Sequence, residues 1–523
     1  MSTQLTTTPP PATAAPGSLT GAAIQGMKWT TMATLATSVL QVGYTAVMAR
    51  LLTPADFGLV ALAAIFMRFG GYFAQMGMEQ ALIQKATLTT ADVRAAFTSA
   101  VGLGLFFASL LWLLAPLGGR AFSQPGVVPI IHAMSVGLVL MGIYATSVSL
   151  LRRQMRFRTL AIMEVSTFVL SYGGVGVTMA WLGYGAWSLV GTQLCQSLLL
   201  LILGYAVTRH SIKPLFSWQV YRPLVQYGGW SSVASFCEYM TGELDKMAIS
   251  RLWGGAALGL YSRAAMLIAL PAYTLTASVT RVALPSFSQV QDDRPRLRGA
   301  YLRSVVLTGV LIMPLCLGAA VAAPELVRVM LGPQWMDAVP IFRVICLLYS
   351  LSTMNMFAVT VCDATANLTR KLVLTLTHAA SLLALFVLLR GFGLVGIALA
   401  VLLGEVLRTV FYLILMRQVL TVELTTLARS YVPPLLLGAG VAAAIALVAS
   451  ALRAAMAPLP LVFAAEMLTG AISLPCLILL LPLPALQAEV AYLLGHLNTR
   501  AGPVVGPMLA WLHRQLLPTS LPA

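Results

Sequence analysis

The sequence predicts an all-α polytopic membrane protein of about 14 transmembrane helices. They form two pseudo-symmetric six-helix bundles plus two extra helices, with both termini cytoplasmic. Three observations predict it. Of 523 residues, 59% are apolar and only 9% charged, with a mean hydropathy of +0.88, whereas a soluble domain carries about 25% charged residues. The 32 Lys and Arg and the net charge of +16 sit at the ends of apolar segments rather than along one stripe. That is the pattern by which membrane helices are oriented, and it excludes nucleic acid as a partner. Finally, the chain contains an internal repeat.

Residues 1–27, rich in Thr, Pro and Ala, lack the basic start and short apolar core of a signal peptide and read as a disordered cytoplasmic tail. A span needs about 20 apolar residues. Candidates fall at 28–49, 57–79, 94–115, 127–150, 161–181, 184–207, 223–249, 257–280, 301–323, 338–361, 371–390, 393–416, 431–452 and 461–483, separated by breakers such as "LTPAD", "APLGG", "LGYG", "GFG" and "APLP". With the N-terminus inside, the inner connections and tails hold 21 basic residues. The outer ones hold six: Arg50, Arg120, Arg251, Arg328, Arg390 and Arg453. Residues 28–212 and 213–417 form the bundles, 418–484 the extra helices, and 485–523 a cytoplasmic tail. In that tail Leu486, Val490, Leu493, Leu494 and Leu497 line one side of an amphipathic helix on the inner leaflet. The six cysteines lie in or beside apolar segments without metal-ligand spacing and read as small buried hydrophobes. No metal site, phosphate-binding P-loop or catalytic signature stands out, and the connections leave no room for a soluble catalytic domain.

The repeat pairs "ARLLTPADFGLVALA" (49–63) with "SRLWGGAALGLYSRA" (250–264). Arg50-Leu51 and Gly58-Leu59 answer Arg251-Leu252 and Gly259-Leu260 at a constant offset of 201. A weaker echo links 115–130 to 323–341.

Several of these stretches carry a further likeness. "LLTPADFGLVALAAIF…FAQMGMEQALIQK", "LLRRQMRFRTLAIMEV", "LDKMAISRLWGGAALGLYSRAAMLIALP" and "LGPQWMDAVPIFRV" occur in order and resemble the Wzx-type polysaccharide flippases. These belong to the multidrug/oligosaccharidyl-lipid/polysaccharide export superfamily, and the likeness is to the branch that includes the colanic acid flippase. It covers roughly residues 28–420. It implies two bundles facing across a central cavity in a bacterial inner membrane. It also implies transport of an undecaprenyl-pyrophosphate-linked oligosaccharide from the inner to the outer leaflet, for exopolysaccharide or lipopolysaccharide assembly. A polysaccharide polymerase and a chain-length regulator are the implied partners beside membrane lipids. The 485–523 tail is not part of that pattern. A drug or ion antiporter of the same superfamily is the near alternative. A membrane polymerase or ligase is the alternative from another class, although the outer connections are short for one.

Ionisable residues at membrane depth are expensive and mark cavities or pairs. Arg68 lies eleven residues into the second span, roughly 16 Å along the helix. The alternative to a cavity-facing role is a structural pair with Glu164 or Glu405. Glu243, Asp245 and Lys246 look like a loop, but the 201-residue offset lays them on Val42, Tyr44 and Thr45, inside a span. Glu243 and Lys246, three apart, can pair; Glu238 and Asp245, seven apart, share a face. The bland reading is a self-neutralising cluster that pins the helix, with Arg263 as a further partner. Since the implied substrate carries a pyrophosphate, Arg68, Lys246 and Arg263 are the candidate substrate-binding residues. Glu238, Glu243, Asp245 and Glu79 are candidates for coupling to a proton or sodium gradient, or for neutralising the cavity when it is empty. No cofactor is expected. Tyr44, Tyr72, Trp230, Tyr239 and Tyr261 could stack on sugars, though packing is the commoner role of such aromatics. The four-Arg linker "LRRQMRFR" (151–158) reads as a topology determinant, and "QDDRPRLR" (291–298) as a solvated inner loop.

Overall fold

The computed structural model describes residues 16–74, 82, 88–215, 218–365 and 367–480. Among these the regular structure is helical throughout, with no strand. The expected tail helix of residues 486–497 lies outside the described residues, as does Glu79. The polytopic helical architecture holds. The elements are α1 (Pro16–Leu51), α2 (Pro54–Ala74), α3 (Thr90–Ala121), α4 (Val127–Arg153), α5 (Phe157–Trp181), α6 (Ala186–Thr208) and α7 (Trp218–Gln289). They continue with α8 (Arg294–Val321), α9 (Ala323–Met330), α10 (Val339–Ala364), α11 (Leu368–Leu389), α12 (Gly393–Leu420), α13 (Leu424–Arg429), α14 (Val432–Ala454) and α15 (Leu459–Leu480). Because α1 begins at Pro16, it takes in residues 16–27, which the sequence placed in a tail.

Among the described residues, twelve helical stretches are long and apolar enough to cross a membrane. Two exceed one crossing: Cys237–Thr276 has 40 residues and Leu368–Leu420 has 53, against about 20 needed. Each is broken once. Within α7, Gly254 sits at φ 81°, outside helical space, a backbone region that only glycine enters without strain. Between α11 and α12 the break is the 3₁₀ turn Arg390–Phe392, closed by Gly393 at φ 67°. The expected pairs 223–249/257–280 and 371–390/393–416 fall on either side of these two breaks.

The chain forms two compact units, Met1–Ser262 and Arg263–Ala523, whose junction falls inside α7. Contacts that tie the first arm of α7 to α2 are described with the site below. In the first unit, α2 is started by Pro54 and a capping pair. Thr53 donates through its backbone N (3.0 Å) and its hydroxyl (2.6 Å) to Asp56 Oδ2. The other carboxylate oxygen of Asp56 accepts from Ala186 N at 2.9 Å, fixing the start of α6 against the start of α2. Helices α3 and α4 meet backbone to backbone. A Cβ on Gly104 would stand 2.8 Å from the Leu138 carbonyl, and one on Gly142 would collide with that of Ala100. Small residues allow this approach where no water is present to drive association. α5 carries eight π-helical residues, Val169–Gly176, with Tyr172 stacked on Phe168 at 4.1 Å and edge-on to Tyr44 at 4.7 Å.

In the second unit, α8 packs on α10 and α14, and α12 packs on α10 and α11. The core there includes Phe287, Tyr301, Phe357, Tyr412 and Met416, all buried. Outward-facing positions are strongly apolar: Trp112, Leu383, Leu388 and Leu447 are exposed. Against water each would forfeit roughly 1.5–3 kcal/mol of burial; against lipid chains it forfeits nothing comparable.

Candidate functional site

The charges of "YMTGELDKMAISR" (239–251) lie on the arm of α7 that precedes the Gly254 break, and all are helical. The arm is bound to α2 at two levels. Tyr239 donates its hydroxyl to the Ile65 carbonyl at 2.7 Å. One turn further on, Glu243 Oε1 accepts from Arg68 Nη1 at 3.3 Å, while Oε2 accepts from Lys246 Nζ at 2.7 Å.

Exposure differs sharply among the three. The Glu243 side chain is 7% exposed, Lys246 25%, and Arg68 67%. Burying a carboxylate costs several kcal/mol unless it is matched, and here two cations match it. The group Arg68–Glu243–Lys246 therefore carries a net charge of +1, and its exposed member is the guanidinium. Asp245, next to Lys246 in the chain, makes hydrogen bonds of its own. Its Oδ1 caps the Lys246 backbone N at 2.8 Å, and its Oδ2 accepts from the Tyr261 hydroxyl. Arg68 pairs with neither acid first suggested for it. Glu405 instead accepts from Asn355 Nδ2 at 2.8 Å and from Arg408 at 3.5 Å. Glu164 fails because the 175-residue contact with Glu243 brings a nearer carboxylate to α2.

The remaining candidates divide. Glu238 is half-buried on the same arm as Asp245, and Arg263, the first residue of the second unit, is half-buried beyond the break. Glu243 has Arg68 and Lys246 as ionic partners. Among the aromatics, Tyr239 and Tyr261 spend their hydroxyls on Ile65 and Asp245, and Tyr44 shares a 3.3 Å contact with Thr192. All three hydroxyls thus tie neighbouring segments of the first unit together. The side chains of Tyr72 and Trp230 lie outside the described residues. In "LRRQMRFR", Arg153 donates to the Leu82 carbonyl at 2.9 Å and Arg158 lies over Trp29 at 5.3 Å, so both anchor structure. In "QDDRPRLR", Asp293 caps α8 through Arg296 N at 3.1 Å. The stretch borders an open polar cleft of about 560 Å³ with Thr365, Asn367, Arg370 and Gln418.

Residues 47–340 match the family described as polysaccharide biosynthesis protein, more than half of the chain. The chain belongs to this family. Among curated relatives of this polysaccharide biosynthesis protein, the Escherichia coli K12 lipopolysaccharide biosynthesis protein WzxC is 23% identical over 62% of this chain and 66% of its own. The Rhizobium meliloti succinoglycan biosynthesis transport protein ExoT is 27% identical over 61% and 64%. The Bacillus subtilis teichuronic acid biosynthesis protein TuaB is 23% identical over 63% and 68%. The chain thus spans about two-thirds of the length of these relatives. In fold it is similar to the lipid II flippase MurJ in an inward closed conformation, with a TM-score of 0.68 at 14% identity over 86% of this chain and 97% of that one. It is also similar to a multidrug resistance MATE family transporter of the MOP superfamily in an inward-facing conformation, at 0.55 and 16% over 76% and 94%. These likenesses establish the transporter fold.

Two polar groups in the second unit of this family member escaped the sequence reading. Asn355, Glu405, Arg408 and Thr409 form a network between α10 and α12, with Asn355 Nδ2 also 2.8 Å from Thr409. Glu325, Arg453 and Glu466 meet between α9, α14 and α15. The signal for the second was present: Glu466 stands alone inside "LPLVFAAEMLTGAISLP", as Arg68 does in its own span.

Proposed function

We propose that this chain is a secondary carrier that moves a lipid-pyrophosphate-linked oligosaccharide from the inner to the outer leaflet of a bacterial inner membrane. Its family membership, its MurJ-like fold and relatives named for polysaccharide transport support the reading. The observation that carries it is the Arg68–Glu243–Lys246 group: one buried acid matched by two cations, the outer of them 67% exposed.

The chemistry follows from that imbalance. In the empty state Glu243 offsets the two cations, which keeps a desolvated positive charge from standing alone. An incoming pyrophosphate offers several anionic oxygens and competes with Glu243 first for the exposed guanidinium, whose fork suits phosphate oxygens. Lys246 follows as a point charge. Glu243 thereby becomes an exchangeable carboxylate, the natural place for substrate to meet a coupling proton or sodium ion. A polymerase and a chain-length regulator then act on the delivered repeat unit.

Export of a cell-surface polysaccharide tests the reading. At normal protein levels Arg68→Ala and Lys246→Ala each reduce export roughly tenfold or more, the factor set by about 1.4 kcal/mol, while Arg68→Lys retains part of it. Undiminished export in both alanine variants removes the cationic site from the mechanism.

A further inference from the structure

The Glu325–Arg453–Glu466 group has one carboxylate too many. Arg453 is engaged bidentately by Glu325, with Nε 2.8 Å from Oε1 and Nη2 2.7 Å from Oε2. This fork-to-fork geometry is the strongest pairing available to a guanidinium. Glu466 receives what is left, a 3.5 Å contact from Nη2 to its Oε1. Its side chain is fully buried, and its Oε2 accepts no hydrogen bond. Ionised, Glu466 would leave a buried group with two negative charges, one positive charge and an oxygen with no donor. Each of these is unfavourable away from water.

Among the described residues, the helices packed on α15 bring no other charge that relieves it. α15 packs against α14, α9 and α8. α14 brings Arg453 and α9 brings Glu325 and the exposed Arg328, while α8 carries its arginines only between Arg294 and Arg303, at its far end. α15 itself has no other charged residue.

We propose that Glu466 is a proton-binding carboxyl, and that Glu325, Arg453 and Glu466 form a proton-exchange site where the two extra helices, α14 and α15, meet α9. The proton sits on Glu466 Oε2 and leaves to water that reaches the group along Arg453, whose side chain is 45% exposed. Once ionised, Glu466 competes with Glu325 for the one guanidinium. Protonation thus decides whether Arg453 ties α14 to α9 alone or is shared with α15. The site does not depend on the substrate read above.

Infrared difference spectroscopy on the full-length chain in lipid nanodiscs at pH 7 tests this directly. The wild type shows the carbonyl stretch of a buried protonated carboxyl, shifted on exchange into deuterated water. Glu466→Gln, which is isosteric and elutes as the wild type does, loses that one band. In Glu325→Gln the freed Arg453 turns to Glu466, which ionises, so the band is lost there as well. A wild-type spectrum without the band, a band that survives Glu466→Gln, or a band that Glu325→Gln leaves unchanged overturns the proposal.

Discussion

At the scale of single residues, what matters is how each buried charge is matched. Glu243 holds two cations that an anionic substrate needs. Glu243→Gln therefore leaves Arg68 and Lys246 free, and binding of a lipid pyrophosphate, measured with purified protein in nanodiscs, tightens by about tenfold, or 1.4 kcal/mol. Weaker binding would show that Glu243 orients the cations instead of competing with substrate. Tyr261→Phe leaves Asp245 Oδ2 without its donor, a loss of about 1–3 kcal/mol read as a lower Tm. His210 lies outside the spans, in the connection after α6. It is buried between Phe97 and Tyr205, with Nδ1 3.0 Å from the Thr208 hydroxyl and Nε2 without a partner. Burial holds its imidazole below the ordinary value of 6.5. The unfolded chain then takes up a proton at a pH where the folded one does not, so stability falls as pH drops below about 6.5 and levels off once the folded imidazole also titrates. His210→Gln abolishes that part of the dependence in a Tm series across pH.

At the scale of elements, most helices were legible because composition and breakers announce a span without any knowledge of its neighbours. Pro54, Gly118-Gly119 and Gly391–Gly393 stand at or near ends that the sequence placed. Limits that depend on partners are less legible. The start of α1 lies in a polar stretch, and the division between units falls inside α7 because Tyr239 and Glu243 bind α2. Pairings were harder still. Lys246 with Glu243 is local and was foreseen by its spacing, but Arg68 with Glu243 joins positions 175 residues apart, which no spacing rule reaches. The break in α7 is itself open to test. An alanine at Gly254 inherits φ 81°, which costs roughly 1–3 kcal/mol for a residue with a Cβ. Gly254→Ala is expected to lower the Tm, whereas Gly242→Ala, whose Cβ would meet nothing within 4 Å, is expected to be neutral or stabilising.

At the scale of the whole molecule, the basic-residue asymmetry makes a prediction that needs no side-chain detail. Reporter fusions in the 122–126 connection should register outside, and those in the 209–215 connection inside; the reverse pattern would invert the orientation. The repeat could be read from sequence because its glycines kept a fixed offset, but the reason for keeping them is visible only in three dimensions. A Cβ on Gly58 would land on the Gly255 carbonyl, and one on Gly259 would land on the Pro54 carbonyl and stand 3.1 Å from Gly58 N. Equivalent positions of the two copies thus lie against each other, as the same patch does twice in a symmetric dimer. Such a contact answers to its members jointly. The first alanine must push the two backbones apart, and the second enters a gap already opened. Gly58→Ala and Gly259→Ala should therefore cost less together than the sum of their separate costs. A double-mutant cycle should return a coupling of about 0.5–3 kcal/mol, the thermodynamic trace of two equivalent segments packed on each other.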